Sequence, residues 1–155
     1  MGNELEERRM AALATCEIMD TRRDGAFDRL VFTAAQAFTA PHAAVAFVGG
    51  GRLWCKARVG FQHPEYPSRG TFAAACVETG SLLLVEDTGA DTRFAAAPVV
   101  LHEGIRSCAA VPVVWGGLAL GCVCVMARTP RSFPPRLQFL LQSLAAHASA
   151  LLRRT

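Results

Sequence analysis

The sequence predicts an α+β domain: a central antiparallel β-sheet of five to six strands, helices packed on one face, and a pocket roofed by loops and a helix on the other. Three observations carry this. Short apolar runs alternate with glycine turns at hairpin spacing, amphipathic segments stand at both ends of the chain, and no helical crossover separates the last two runs.

Taken in order, residues 4–19 read as a helix with Leu5, Ala12, Cys16 and Met19 on one stripe. Thr21 and Asp24 stand three apart, the spacing of a capping box. A second helix follows, in which Phe27, Leu30, Val31, Ala34 and Phe38 define one apolar face and Pro41 ends the run. Residues 43–48 and 52–59 form a hairpin across Gly49, Gly50 and Gly51. Residues 60–70, with Pro64 and Pro67, form a loop. Residues 71–79 read as a helix stopped by Gly80. Residues 81–86 make a strand, and 87–98 a loop with a short helix at 93–97. Residues 106–114 and 118–127 form the last hairpin, where Pro112 asks for an edge or a bulge. The terminal helix begins at Ser132, Phe133, Pro134 and Pro135. Its residues Leu137, Leu141, Leu144, Ala148 and Leu151 follow coiled-coil spacing.

The length of 155 residues fits a single domain, 1–155, divided into an N-terminal helix (1–20), a core (21–131) and a C-terminal helix (132–155). Hydrophobic residues make up 52% and the mean hydropathy is +0.26. Even so, the longest apolar stretches are interrupted by Pro112, Gly116, Gly117 and Gly121, well short of the ~20 residues that span a membrane. The charged N-terminus lacks the apolar centre of a secretory signal. These features predict a cytoplasmic chain with no membrane partner. Net charge is +3, and Lys56 is the one lysine among 16 basic residues. The arginines are scattered, without the basic stripe of a nucleic-acid binder. An arginine- and alanine-rich composition matches a GC-rich genome. Six cysteines, at 16, 55, 76, 108, 122 and 124, read as buried reduced thiols rather than as a disulfide framework.

Several segments carry a resemblance. Met19-Asp20-Thr21 with Phe27-Asp28-Arg29-Leu30, residues 54–60 with Pro64-Glu65, and Glu86-Asp87 with residues 90–94 and Pro98 resemble successive parts of bacterial GAF domains. So do Gly104-Ile105-Arg106, Val111-Pro112 and residues 120–125, and Arg131-Ser132-Phe133 resembles the start of their terminal helix. The resemblance spans about residues 18–152. It implies a signalling module with a pocket between the sheet and segments 60–79 and 87–104, and a homodimer formed through the N- and C-terminal helices.

Some stand-alone relatives reduce free methionine-R-sulfoxide with two cysteines. The matching positions here are Ala73 and Leu101, and Cys76, one turn beyond Ala73, is the available substitute. A thiol near a helix C-terminus lacks the positive field that activates a nucleophile. Where many relatives have cysteine and histidine in the pocket helix, Ala73 and Ala75 stand here, which implies a roomier apolar pocket or a vestigial one. A bilin anchor is missing. For haem, His63 and His102 lie in roofing loops, whereas His42 and His147 read as surface or interface residues. Cys122 and Cys124 share a strand face but lack the second pair of a zinc site; with Leu118, Leu120 and Met126 they read as one packed row.

The reading is therefore a sensing or dimerising module without catalytic residues, metal or cofactor, and the alternative is a thiol-dependent free methionine-R-sulfoxide reductase. The ligand is an unidentified small molecule. Trp54, Phe72, Phe94 and Ile105 are read as its apolar wall, and Arg58, Asp91, Arg106 and Ser107 as orienting polar groups, with Cys76 beside them. For each aromatic the favoured reading is ordinary core, and for each arginine a solvated surface, with the pocket role as the sharper alternative. No output segment follows residue 155, so the expectation is action on a signalling protein in trans or membership of a longer sensor.

Overall fold

The computed structural model describes residues 2–153. In chain order they form α1 (Gly2–Cys16), α2 (Gly25–Ala37), β1 (His42–Gly49), β2 (Arg52–Val59), β3 (Glu65–Pro67), α3 (Phe72–Thr79), β4 (Leu83–Val85), a 3-10 turn (Thr88–Ala90), α4 (Pro98–Glu103), β5 (Ser107–Trp115), β6 (Leu118–Ala127) and α5 (Pro135–Arg153). Met1, Arg154 and Thr155, which the sequence reading includes in its terminal helices, lie outside the described residues.

The strands make one six-stranded antiparallel sheet in the order β3-β2-β1-β6-β5-β4. On one face Leu13 of α1, Phe27, Leu30, Val31 and Ala34 of α2, and Leu141, Ala145, Ala148 and Leu152 of α5 bury against Val45, Phe47, Val111, Val113, Val123 and Val125. On the other face α3 and the segment 94–105 cover Ala44, Ala46, Cys108, Ala110, Cys122 and Cys124. The domain is thus α+β, as the sequence pattern predicts.

Local chemistry explains the boundaries. Asp24 is the N-cap of α2, its carboxylate accepting from the Ala26 N–H at 2.8 Å. Thr21 is not the cap: its hydroxyl donates to Ile18 O and accepts from Lys56 Nζ. Thr71 caps α3 and Gly80 ends it in the left-handed region at φ 65°. Helix α1 stops at Cys16 rather than Met19, and Leu5 is 48% exposed. Arg9 occupies the inward stripe instead, donating to Val48 O at 2.9 Å and Ala119 O at 3.1 Å while Glu6 pairs with it. These bonds tie α1 to the ends of β1 and β6. Helix α4 begins five residues later than the short helix expected at 93–97, with Pro98 as its first residue. Pro112 lies past Ala110, the last residue of β5 paired with β4, so its missing N–H leaves that edge unharmed.

Two β-bulges decide which side chains face which layer. Val45 pairs with Ala57 and Ala46 with Cys55, so Lys56 is an extra residue in β2. Val113 pairs with Gly121 and Val114 with Ala119, so Leu120 is an extra residue in β6. An added residue reverses the two-residue alternation beyond it. The row proposed for β6 is broken accordingly: Leu118 and Leu120 join the helical layer, and Cys122, Cys124 and Met126 join the opposite one.

Along α5 the buried stripe is Leu141, Ala145, Ala148 and Leu152, and Ser149 is buried beside it, its hydroxyl accepting from the Val114 N–H. Leu137, Leu144 and Leu151 of the expected seam are half-buried at the border of this stripe. Phe139 points outward and is 71% exposed.

Candidate functional site

The face opposite the three long helices is where the sequence places a pocket. Phe72 and Ala73 of α3, Phe94, and Ile105 are all buried there, and the Phe72 and Phe94 rings meet at 4.7 Å. Five of the six free cysteines, Cys55, Cys76, Cys108, Cys122 and Cys124, are buried in the same layer. The alanines at 73 and 75 therefore do not leave a roomy chamber; Phe72, Phe94 and the thiols pack the layer.

The proposed binding residues separate into three groups. Phe72, Cys76, Phe94 and Ile105 come together in this layer. Trp54 does not join them: it lies before the β2 bulge and packs in the helical layer, on the opposite side of the sheet. The polar groups are mostly committed to local bonds. Arg93 forks onto Asp91, and Arg106 Nη2 reaches Asp87 Oδ1 at 3.0 Å, which lowers the carboxyl pKa of both aspartates; at Asp87 the Gly89 N–H adds to the effect. Ser107 is buried and donates to Thr129 O at 2.8 Å. Arg58, beyond the bulge, is exposed and donates through Nε to Phe61 O at 3.1 Å.

The thiols are poor nucleophiles. Burial raises the Cys55 pKa to about 12, with Cys124 adding to it. Burial followed by the neighbouring thiols of Cys124 and Cys76 raises Cys108 far above the usual thiol range, and the same two thiols together with burial raise Cys122. Cys76 is fully buried, and its sulfur donates to Ser81 O at 3.5 Å. Ala73 is buried and Leu101 is 65% exposed.

One functional candidate escaped the sequence reading. His42, expected at the surface or an interface, is 1% exposed, and neither ring nitrogen makes a hydrogen bond of normal geometry, its contact with the Gly60 backbone falling short of one. Next to a proline at the start of a strand it reads as outward-facing, but β1 begins at His42 itself and carries the ring inward. Phe61 covers the ring at a centroid distance of 5.0 Å. Burial, with Arg128 adding and Glu103 and the Gly60 backbone opposing, lowers the His42 pKa below its usual 6.5. The unfolded chain therefore takes up this proton first as pH falls. Stability from this site is full above about pH 6.5 and declines as pH drops toward the folded-state value, by at most ~1.4 kcal/mol per pH unit. Urea titrations between pH 7.5 and 5 are expected to show this decline in the wild type and a flatter profile in His42→Leu.

This two-layered sheet and its ordered segments are those of the GAF domain: the family profile matches residues 21–153, and the chain belongs to the GAF family. A cyclic di-GMP phosphodiesterase of Pseudomonas aeruginosa is 30% identical over 128 residues, covering 81% of this chain and 22% of that protein, so the chain spans about a fifth of its relative. Among solved structures, the GAF domain of a phosphoenolpyruvate-protein phosphotransferase from Coxiella burnetii superposes with a TM-score of 0.73 at 14% identity, over 96% of this chain and 95% of that one. The free methionine-R-sulfoxide reductase of Neisseria meningitidis gives 0.71 at 15% identity, over 97% and 87%. At these identities the likeness to solved structures establishes the fold. The family places the chain among signalling and sensing modules, and among the described residues no helix is long and apolar enough to cross a membrane.

Proposed function

We propose that the chain is a non-catalytic, cytoplasmic sensing module that responds to a small-molecule ligand and acts through a homodimer formed by α1 and α5. The observation that carries the non-catalytic half is the state of the thiols. The positions equivalent to the reductase cysteines lack sulfur, and Cys76 is sealed in the core at the wrong end of a short helix. Dimerisation is supported by exposed apolar side chains on the terminal helices, Leu5 and Met10 on α1 and Phe139 on α5. The Pseudomonas relative is far longer than the matched segment, which supports a role upstream of an output domain or of a partner in trans.

The reading is tested by incubating the protein with free methionine-R-sulfoxide and a thiol donor. No turnover above the donor alone is expected. Turnover that disappears in Cys76→Ser would replace this proposal with the reductase alternative. The packing of Phe72 against Phe94 favours a second reading, a dimerising module whose inner layer never opens to a ligand. It predicts no stabilising compound in a metabolite thermal-shift screen, whereas a ligand at 100 times its Kd adds ~2.7 kcal/mol.

A further inference from the structure

Beside β2 the sheet is open. Strand β3 pairs with β2 only from Arg52 to Trp54, and the Cys55 N–H then donates to Pro64 O at 2.7 Å. Along this edge runs an open groove of about 560 Å³ whose lining includes Asp20, Asp28, Trp54, Arg58 and Phe61. Its carboxylates are already matched. Asp20 accepts from Arg52 at 2.6 Å, and Asp28 pairs with Arg23 at 3.2 Å. Arg58 is different: its Nε holds Phe61 O, and among the described residues no carboxylate pairs with its guanidinium. The groove therefore offers an unmatched cationic fork.

Behind Phe61 stands His42, buried with both ring nitrogens unpartnered. The sheet register brings His42 and Arg58 together. Arg58 is opposite Ala44 in the β1–β2 ladder, and His42 lies two residues before Ala44 on the same face. This makes them diagonal neighbours, about 7–8 Å apart at the backbone. Gly60 sets the approach: at φ 83° it turns the chain so closely that a Cβ would stand 2.1 Å from Pro41 O and 2.7 Å from His42 Nδ1. Phe61 is thus the partition between an open cationic groove and a buried unpaired donor.

We propose that this groove binds a small oxyanion, a carboxylate or phosphate group, held by the terminal nitrogens of Arg58 and by the N–H of His42 once the Phe61 ring turns aside. The inference rests on the sensing reading and supplies the class of its ligand. A neutral imidazole brings one donor, which an oxyanion satisfies, and a guanidinium fork receives two oxygens in its plane. An unpaired buried histidine is costly to keep for structure alone. The site therefore predicts opposite effects on stability and binding.

The test titrates the full chain with sodium acetate and, separately, inorganic phosphate at constant ionic strength, with chloride as the control, following the His42 and Arg58 side chains by NMR. Saturable shifts at both residues with one of the two anions are expected, and the tighter anion identifies the headgroup. Arg58→Gln should weaken binding about tenfold or more. Arg58→Lys, which keeps the charge but loses the fork, should weaken it less. His42→Leu should melt a few degrees higher without anion and lose the anion-induced gain. Shifts that match chloride, unchanged affinity in Arg58→Gln, or a lower melting point in His42→Leu would each overturn the site. Saturable binding that leaves the dimerisation constant unmoved would keep the site and remove the sensing reading. No binding would remove the site and leave the proposed function to the sulfoxide assay.

Discussion

Gly121→Ala is expected to destabilise the domain by about 3 kcal/mol or more, a large share of the stability of an ordinary domain. Gly121 lies in β6 between its partners Phe47 of β1 and Val113 of β5, next to the extra residue Leu120. A Cβ built on Gly121 would stand 2.0 Å from Ala46 O and 2.9 Å from Ala46 C and Phe47 Cδ1. Two of these atoms are backbone in the central strand pair, so relief requires the strands to part. A control sharpens the expectation. Gly49→Ala meets the Leu13 Cδ2 methyl at 2.5 Å, the end of a side chain that has another rotamer, and should cost less. Urea denaturation of both variants checks the ranking, and a Gly121→Ala midpoint within error of the wild type would contradict the strand geometry.

Phe72→Ala is the second large effect, about 3–5 kcal/mol. Phe72 is fully buried, packs against Phe94, and belongs to the layer of small residues Ala44, Ala46, Ala73 and Ala110 that have no bulk to spare for a void. The magnitude discriminates between descriptions of this face. A packed layer loses the transfer energy of the ring and gains a cavity. A ligand chamber would instead lose a wall residue already facing open space, at a cost of ~1 kcal/mol or less. Chemical denaturation of the ligand-free protein separates the two.

The success of the sequence reading is uneven in a physically regular way. The strand spans 52–59 and 118–127, the apolar face of α2 and the edge position of Pro112 follow from local chemistry, and the structure has them. Facing within the sheet was legible only up to a bulge. Trp54 reads as a wall of the pocket on the α3 face because nothing in Trp54-Cys55-Lys56-Ala57 announces that Lys56 is an extra residue, and it lines the groove beside β2 instead. The same holds for Leu120, whose bulge separates Leu118 from Cys122. Bulges arise from pairing with a strand elsewhere in the chain, so they leave little local trace. The burial of His42 is illegible for a similar reason: it comes from Phe61, which returns over it after the β2 turn at Gly60. One signal was available, since β1 is otherwise an unbroken apolar run and a histidine at its head shares the face of Ala44 and Ala46. The polar candidates Asp91, Arg106 and Ser107 were named from their sequence positions, while their partners Arg93, Asp87 and Thr129 show them serving turns and loop anchors.

The thiol-rich inner layer is sealed and chemically quiet. Titration of the native protein with Ellman's reagent at pH 8, followed by addition of guanidinium chloride, tests this directly. None of the six thiols is expected to react before unfolding, and all six are expected to react after it. A single fast-reacting cysteine in the native state, traced to Cys76 by its loss in Cys76→Ser, would contradict that expectation and restore thiol chemistry as the function.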